Sequence, residues 1–325
     1  MPTRRRAFVV LVCLAIAALA SITLALAVGN IPLSPQQTLR AAFGLDDGMA
    51  GDVVRHLRLP RALAGFACGG LLALAGALMQ VLLRNPLADP YVLGISGGAG
   101  VGALAAMLLG FSALGINSFA LLGAFGAMLL VFGLAHGDGS WTQTRLLLTG
   151  VIVAAGCGAV VSLIMSIAPE SKLPGMLYWL MGDLSQAVDP RPALFLLLVA
   201  LATSIPFARE LNLLARGSDA ARALGVPVRR LRFIVYFLAS LATAAAVTSA
   251  GSIAFVGLVV PHLMRLVLGN DQRLLLPAAA LGGGSLLVCA DTLARVVIAP
   301  AQLPVGVLTA LIGVPLFLFL LNRRA

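Results

Sequence analysis

Ten long apolar runs, separated by more polar segments, are the feature that most constrains this chain. Each run approaches the ~20 residues that an α-helix needs to cross the hydrocarbon core of a bilayer. The pattern predicts an all-α polytopic membrane protein with ten transmembrane helices, in a single domain covering residues 1–325. The runs cover residues 7–28, 62–82, 91–110, 116–135, 146–167, 192–208, 233–250, 253–269, 274–298 and 305–321.

The composition excludes a soluble protein. Hydrophobic residues make up 60% of the chain and charged residues 10%, whereas soluble domains carry about 25% charged residues. The mean hydropathy of +1.04 leaves no room for a solvated basic domain, so the net charge of +10 does not indicate nucleic-acid binding. The first apolar run is longer than the ~7–15-residue core of a cleaved signal peptide, and we interpret it as a transmembrane helix. A signal peptide cleaved near Ala25 or Ala27 is the alternative interpretation.

The distribution of charge predicts the orientation of the chain. An even number of spans places both termini on the same side of the membrane. With residues 1–6 in the cytoplasm, the inner side carries fifteen basic and five acidic residues, and the outer side carries seven of each. The whole positive excess then lies inside, as the positive-inside rule requires.

Two loops have features beyond those of simple connections. On the outer side, residues 168–190 are predicted to form a short amphipathic helix at the membrane interface, anchored by Tyr178 and Trp179. On the inner side, residues 209–232 are the most charged part of the chain. Within them, Ser218 is predicted to cap a short helix that ends at Gly225. This helix fits either a docking element or a solvated tether.

The residue types that catalysis or cofactor binding would need are scarce. Lys172 is the only lysine and follows Ser171, so the chain lacks the Gly-Lys pair of a nucleotide-binding P-loop. We therefore expect no cofactor, no metal and no ATP to be bound by this chain. The cysteines and histidines show no metal-binding or disulfide spacing; they are Cys13, Cys68, Cys157, Cys289, His56, His136 and His262.

An intramembrane serine hydrolase is one alternative, because residues 94–98 match the G-x-S-x-G nucleophile pattern around Ser96. That chemistry requires a histidine base beside the hydroxyl, and His262 is the only histidine inside a predicted span. The glycines at positions 94, 98 and 102 also favour close packing of helices in lipid, which explains the pattern without catalysis.

An ion-coupled secondary transporter is a second alternative, because such proteins place carboxylates within the membrane. Asp291 is the only acidic residue clearly within a predicted span. Arg295 lies four residues later on the same helical face. A structural ion pair therefore explains Asp291 more simply than a proton relay does.

The inner loop at residues 84–91 is predicted to be a rigid turn. Pro86 and Pro90 prevent a continuous helix, and the side chains of Asn85 and Asp89 are suited to accept hydrogen bonds from nearby backbone N–H groups. Physical reasoning alone assigns this turn no function.

Beyond these arguments, the sequence resembles the permease subunits of type II ATP-binding cassette importers, the family that takes up iron–siderophores, haem and vitamin B12. The resemblance covers nearly the whole chain, with its motifs in order. They are RLPR (58–61), GALMQ (76–80), RNPLADP (84–90), LGISGGA (93–99), RLLLTG (145–150), YWLMG (178–182), LNLL (211–214), ARALG (221–225), GSIAFVGLVVPH (251–262) and LPVG (303–306). The structural family positions within them are Arg84, Asn85, Pro86, Asp89, Pro90, Pro261 and His262.

This resemblance implies a permease rather than an enzyme, located in the bacterial cytoplasmic (inner) membrane and crossing it many times. It implies a homodimer with the translocation pathway at the subunit interface. A separate cytoplasmic ATPase dimer would bind ATP and Mg²⁺, and a periplasmic substrate-binding protein would deliver the metal chelate. Ferric siderophore, haem and cobalamin all remain open as cargo.

The resemblance also implies roles for individual residues. On the outer face, Arg58, Arg61 and Arg295 are expected to pair with glutamates of the binding protein. The residues corresponding to the inner gate are Thr142, Gln143 and Thr144, for which ordinary helix capping is the other interpretation. The residues expected to couple the chain to the ATPase are Gly217, Ser218, Asp219, Ala221, Arg222, Leu224 and Gly225.

Two positions depart from the pattern of the family. Gln302 stands where most relatives have glutamate, immediately before the LPVG motif. Asp183 follows Gly182 at a position where many relatives have a small residue. Neither position is assigned a role from the sequence.

Overall fold

The computed structural model describes residues 4–46, 48–135, 142–185, 187 and 189–322, and every regular element in these ranges is helical. Short 3₁₀ or π turns join several of the helices. The α-helices are α1 (Arg4–Ala27), α2 (Pro35–Ala42), α3 (Met49–Asp52), α4 (Leu59–Leu82), α5 (Ile95–Leu109), α6 (Ala113–Ala135), α7 (Gln143–Ile167), α8 (Leu173–Met181), α9 (Arg191–Ser204), α10 (Ala208–Arg216), α11 (Ser218–Ala223), α12 (Val228–Ala250), α13 (Val256–Leu268), α14 (Gln272–Val296) and α15 (Val305–Asn322).

Each of the ten predicted apolar runs corresponds to one of these helices, so the all-α polytopic fold is confirmed. In the described ranges, seven helical segments are long and apolar enough to cross a membrane. Three further apolar helices, α5, α13 and α15, are shorter. The count of ten spans, the cytoplasmic position of both termini and the extent of the single domain stay predictions.

Helix α4 lies at the centre of the bundle, and its residues from Ala67 to Leu82 are all buried. Helices α14, α12, α13 and α9 pack around it. Glycines allow this packing: a Cβ atom added at Gly69 would overlap the carbonyl oxygen of Gly283, and one added at Gly76 would overlap that of Gly257. These helices therefore meet backbone to backbone, as small residues permit in membrane proteins.

Helices α5 and α6 meet in the same way. A Cβ atom at Gly98 would overlap the carbonyl oxygen of Gly123, and one at Gly102 would overlap that of Phe119. The close packing predicted from the glycine spacing is therefore confirmed. The hydroxyl of Ser96 lies 3.0 Å from that of Ser252, and a serine hydroxyl is no general base for a nucleophile.

An irregular segment at residues 251–255 separates α12 from α13. Gly251 and Phe255 both have positive φ, at 69° and 70°. The segment is held by neighbouring elements, since the Tyr91 hydroxyl accepts a hydrogen bond from the Ile253 N–H at 3.0 Å. Irregular backbone at membrane depth is tolerated where protein groups surround it.

The outer segment 168–190 contains a short helix, α8, and two of its residues, Gln186 and Val188, lie outside the described ranges. The carboxyl end of α8 packs inside the protein, because a Cβ atom at Gly251 would overlap the carbonyl oxygen of Trp179. Gly306, at the start of α15, approaches Met181 equally closely. The location of this segment at the membrane interface stays a prediction.

Candidate coupling and docking surfaces

The side of the bundle that is predicted to face the cytoplasm, which we call the inner surface, presents two short helices, α10 and α11, between α9 and α12. We call residues 208–225 the coupling segment. Leu211 and Leu214 of α10 are completely buried, and they seat the segment on the bundle. Gly217 (φ 136°) and Gly225 (φ 81°) form the turns before and after α11. Positive φ values at both turns favour glycine over residues with a Cβ atom.

The predicted cap of the short helix was wrong. Gly217 is the N-cap residue of α11 and Ser218 is its first helical residue. The Ser218 hydroxyl instead accepts a hydrogen bond from Arg232 Nη2 at 2.6 Å. The hydroxyl thus attaches α11 to α12 instead of accepting a backbone N–H at the start of its own helix.

The coupling residues inferred from the resemblance divide between two faces of α11. Ala221 is 0% exposed and packs against the chain itself. Asp219 and Arg222 face outward and form an ion pair of 3.3 Å, with the Asp219 side chain 98% exposed. Leu224, immediately after the helix, is 66% exposed. A single exposed leucine is ordinary on a protein surface, so the coupling role of this face stays a prediction.

The residues inferred for the inner gate lie at the start of α7. Thr142 is the N-cap residue, and its Oγ1 accepts a hydrogen bond from the Arg145 N–H at 3.3 Å. The side chain of Gln143 joins α7 to the end of α4, since it donates to Leu82 O at 3.0 Å and accepts from Arg84 at 3.1 Å. Thr144 is exposed. The geometry agrees with helix capping, and the gating role stays a prediction.

The inner loop at residues 84–91 is the rigid turn that its sequence predicts. Asn85 Oδ1 accepts from the Leu87 N–H at 2.9 Å, and Asp89 Oδ1 accepts from the Tyr91 N–H at 2.7 Å. Desolvation raises the pKa of the Asp89 carboxyl to about 6, although the Tyr91 N–H acts in the opposite direction. Pro90 is buried, as are Pro261 and His262 of α13, which is consistent with structural positions.

On the opposite side, which is predicted to face the periplasm and which we call the outer side, Arg61 and Asp291 form the centre of a charged network. Arg61 Nη2 lies 2.9 Å from Asp291 Oδ1, and Arg61 Nε lies 3.0 Å from Asp291 Oδ2. Arg295 Nε lies 3.3 Å from Asp291 Oδ2, so the predicted pair within α14 is confirmed. Asp183 lies 4.0 Å from Arg61, and Gln302 Oε1 accepts from Arg61 Nη1 at 2.9 Å. We call these five residues the outer charge cluster.

Arg58 and Arg295 also bind backbone carbonyl groups at the end of α1 and just beyond it. Arg58 is 4% exposed and donates to Leu26 O at 2.7 Å, to Ala27 O at 3.2 Å and to Ile31 O. Arg295 is 6% exposed and donates to Ala25 O at 3.3 Å. Arginines suit a helix carboxyl end because they satisfy its free carbonyl groups and its partial negative charge.

All three arginines inferred to dock a binding protein therefore already have partners within the chain. A cleft of about 350 Å³ opens beside them, and its lining includes Arg58, Arg61, Arg295 and Gln302. Pairing with the glutamates of a binding protein would require them to share or exchange their present contacts. The docking role stays a prediction. Of the three arginines, Arg61 contacts α14 through Asp291 and also reaches Gln302 and Asp183.

Metal-binding side chains are not gathered anywhere in the part of the chain that the structure describes: no three His, Cys, Asp or Glu residues form a group that could hold an ion. His136 and Asp138 lie outside the described ranges.

Comparison with known proteins gives consistent matches over almost the full length. The cobalamin import system permease protein BtuC of Halobacterium salinarum is 42% identical over 302 residues, which is 91% of this chain and 81% of that protein. The hemin transport system permease protein HmuU of Yersinia pestis is 42% identical over 281 residues, or 83% of each protein. Sequence identity of this level over most of both proteins indicates membership of one family and not only a shared fold.

A solved structure is also similar to this chain in both fold and sequence. It is an inward-facing conformation of a metal-chelate type ABC transporter, with a TM-score of 0.85 and 33% sequence identity, and the match covers 98% of this chain and 99% of that one. Residues 15–323 match the profile of one transport family. The chain thus belongs to the FecCD transport family.

Proposed function

We propose that this FecCD-family chain is the permease subunit of an ATP-driven importer of metal chelates and that it works as a homodimer. A separate ATPase dimer on the inner side would supply the energy, and a substrate-binding protein on the outer side would deliver the cargo. Relatives named for cobalamin and hemin transport support a chelate of this general size and chemistry. The permease itself is a multi-pass protein of the bacterial inner membrane.

The coupling segment is the observation that carries this proposal. It places exposed Asp219, Arg222 and Leu224 together on the inner surface of a chain that has no P-loop of its own. The buried leucines of α10 anchor this face to the bundle. A force applied to the exposed face by an ATPase would therefore reach the membrane helices.

The exposed face of α7 supports the homodimer. Only Leu146, Gly150 and Ile164 of this described helix are buried. A Cβ atom at Gly156 or Gly158 would have no neighbour within 4 Å. Small residues on an uncovered helix face allow a second helix to approach closely in a membrane. We infer that α7 borders the pathway between two copies, which would open alternately to either side.

The proposal is tested by reconstituting the chain with its ATPase and binding protein in proteoliposomes. Cobalamin, haem and a ferric siderophore are supplied in separate assays. A chelate that the binding protein retains is supplied as its complex with that protein. We expect uptake of at least one chelate, and its loss when the P-loop lysine of the ATPase is replaced by alanine. Unchanged uptake with that ATPase variant would contradict the proposal.

The same system tests the two alternative classes, neither of which the relatives favour. An ion-coupled transporter would lose uptake when an uncoupler collapses the ion gradients, whereas an ATP-driven importer would not. Replacing Ser96 by alanine would abolish the activity of a serine hydrolase. We expect the Ser96→Ala variant to keep chelate uptake, because the Ser96 hydroxyl of the unmodified chain is hydrogen-bonded to the hydroxyl of Ser252 and not to a histidine.

A further inference from the structure

The coupling segment is attached to the start of α14 through Asn212. Its Nδ2 donates to Asp271 Oδ1 at 2.8 Å, and its Oδ1 accepts from the Gln272 N–H at 2.8 Å. Asp271 is itself the N-cap residue of α14 and accepts from the Arg273 N–H at 3.1 Å. Because both polar atoms of the Asn212 amide are used, α10 is held to the first turn of α14 in one orientation.

Asn212 lies at the inner surface rather than in the core. A cleft of about 490 Å³ is lined by Asn212, Arg216 and Asp271. Another hydrogen bond, donated by Arg232 to Ser218, joins the coupling segment to α12, which is the next helix along the chain. Asn212 therefore provides a connection from the coupling segment to a helix that is distant in sequence.

Helix α14 is tightly joined to α4 along its length. Gly69 and Gly283 approach so closely that a Cβ atom at either glycine would overlap the carbonyl oxygen of the other. Gly284 contacts Phe66 of α4 in the same region. Backbones in such contact have no free space for sliding, since packed interiors rearrange in discrete steps rather than deforming continuously. We call these two helices the α4–α14 pair.

The outer end of the α4–α14 pair carries the outer charge cluster. Arg61 belongs to α4, whereas Asp291 and Arg295 belong to α14. A helix with the 25 residues of α14 is about 37 Å long at 1.5 Å per residue. One pair of helices thus connects the Asn212 contact on the inner side with the charge cluster on the outer side.

We propose that Asn212 is a positioning residue that transmits movement of the coupling segment to the α4–α14 pair, and so to the outer charge cluster. This inference rests on the proposed function, because the movement originates in the ATPase. Coupling between two sites is reciprocal for binding free energies, so the state of the ATPase and the binding of a protein on the outer face would influence each other through this connection. Stimulation of ATP hydrolysis by the binding protein is a rate, and it is the readout by which we test the connection.

The test uses the full transporter in proteoliposomes and an exchange of chemical groups. Asn212→Asp places two carboxylates against each other and removes the donor to Asp271. Adding Asp271→Asn restores one donor and one acceptor without changing the net charge, and asparagine is as good an N-cap residue as aspartate. Asn117→Asp makes the same chemical change at an exposed position of α6 and serves as the control.

Three quantities are measured for each variant: co-purification with the ATPase, basal ATP hydrolysis, and its stimulation by the loaded binding protein. For Asn212→Asp we expect normal assembly and basal hydrolysis with stimulation reduced about tenfold, within the usual range of coupling between sites. The double variant is expected to recover stimulation to within about twofold of the unmodified chain, since the contact is restored. Asn117→Asp should match the unmodified chain.

Full stimulation in Asn212→Asp would overturn the proposal, and so would a double variant that stays uncoupled. Loss of co-purification would also overturn it, because Asn212 would then belong to the docking surface itself. Failure of the proposed function is a distinct result: the unmodified chain would then show no stimulated hydrolysis and no uptake.

Discussion

Arg61 and Asp291 lie 230 residues apart in the sequence and form the ion pair that joins α4 to α14 at the outer side. Two nitrogen atoms of the guanidinium contact the carboxylate, at 2.9 Å and 3.0 Å. Arg295 contacts the same carboxylate, so one buried acid serves two arginines. This arrangement makes Asp291 the structural centre of the outer surface.

The first prediction concerns Asp291. Replacing it with alanine leaves Arg61 and Arg295 without their shared anion, and breaking a buried pair from one side costs about 3–5 kcal/mol. We expect a large fall in the thermal unfolding temperature of the purified protein in detergent. Asp189→Ala is the matched control, because it removes an exposed ion pair with Arg191, and such pairs contribute little to stability. Equal effects of the two substitutions would contradict the structural role.

The second prediction concerns Gln302, where the sequence departs from most relatives. Gln302→Glu gives the Arg61 guanidinium a charged acceptor in place of a neutral one at an exposed position, where an ion pair contributes at most about 1 kcal/mol. We expect a modest rise in the unfolding temperature, and a fall for Gln302→Leu, which removes the acceptor. A Gln302→Glu variant that is less stable than the Gln302→Leu variant would contradict the role of Gln302 as a hydrogen-bond acceptor of Arg61.

The third prediction separates the two faces of α11. Leu224→Ala removes an exposed apolar side chain, whose burial against the ATPase would contribute about 1.5–3 kcal/mol. We expect ATPase binding to weaken at least tenfold while the thermal stability of the permease alone stays unchanged. Leu114→Ala, at an exposed position of α6, is the control for binding. Undiminished ATPase binding by the Leu224 variant would exclude this face as the contact.

The buried face of the same helix should respond in the opposite way. A charged residue at position 221 replaces an alanine that packs against the chain, so Ala221→Glu is expected to lower the stability of the permease itself. The comparison is made by thermal unfolding without the ATPase present. A variant as stable as the unmodified chain would show that Ala221 is accessible.

The fourth prediction tests the contact between α4 and α14. Gly283→Ala places a methyl group against Gly69 O and should prevent normal assembly of the bundle. Gly133→Ala, in a helix position with no neighbour within 4 Å, is expected to be neutral or to stabilise by about 0.5–1 kcal/mol. Size-exclusion profiles of the two variants distinguish these outcomes, and a normal profile for Gly283→Ala would disprove the tight contact.

The local features of the structure could be predicted from the sequence because neighbouring residues determine them. Apolar length predicts the helices, the spacing of four predicts the Asp291–Arg295 pair, and Asn85 and Asp89 accept the expected backbone hydrogen bonds. Ser218 was misassigned because its hydroxyl is used by Arg232, on the following helix.

The features that depend on distant parts of the chain could not be predicted. No local pattern indicates that Arg61 reaches Asp291 or that Asn212 holds the start of α14. The predicted run at residues 253–269 likewise gives no sign that α13 begins only at Val256, after an irregular segment. Hydropathy alone does not reveal the positive φ of Phe255 or the surrounding contacts that permit it.

The most direct test of the central claim is the energy source of uptake. The measurement is the initial rate of chelate uptake by the reconstituted transporter, with an uncoupler present and with either ATP or a non-hydrolysable analogue on the ATPase side. ATP-driven import predicts uptake with ATP and none with the analogue. Uptake that proceeds equally with the analogue, or that stops whenever the uncoupler is present, would contradict it.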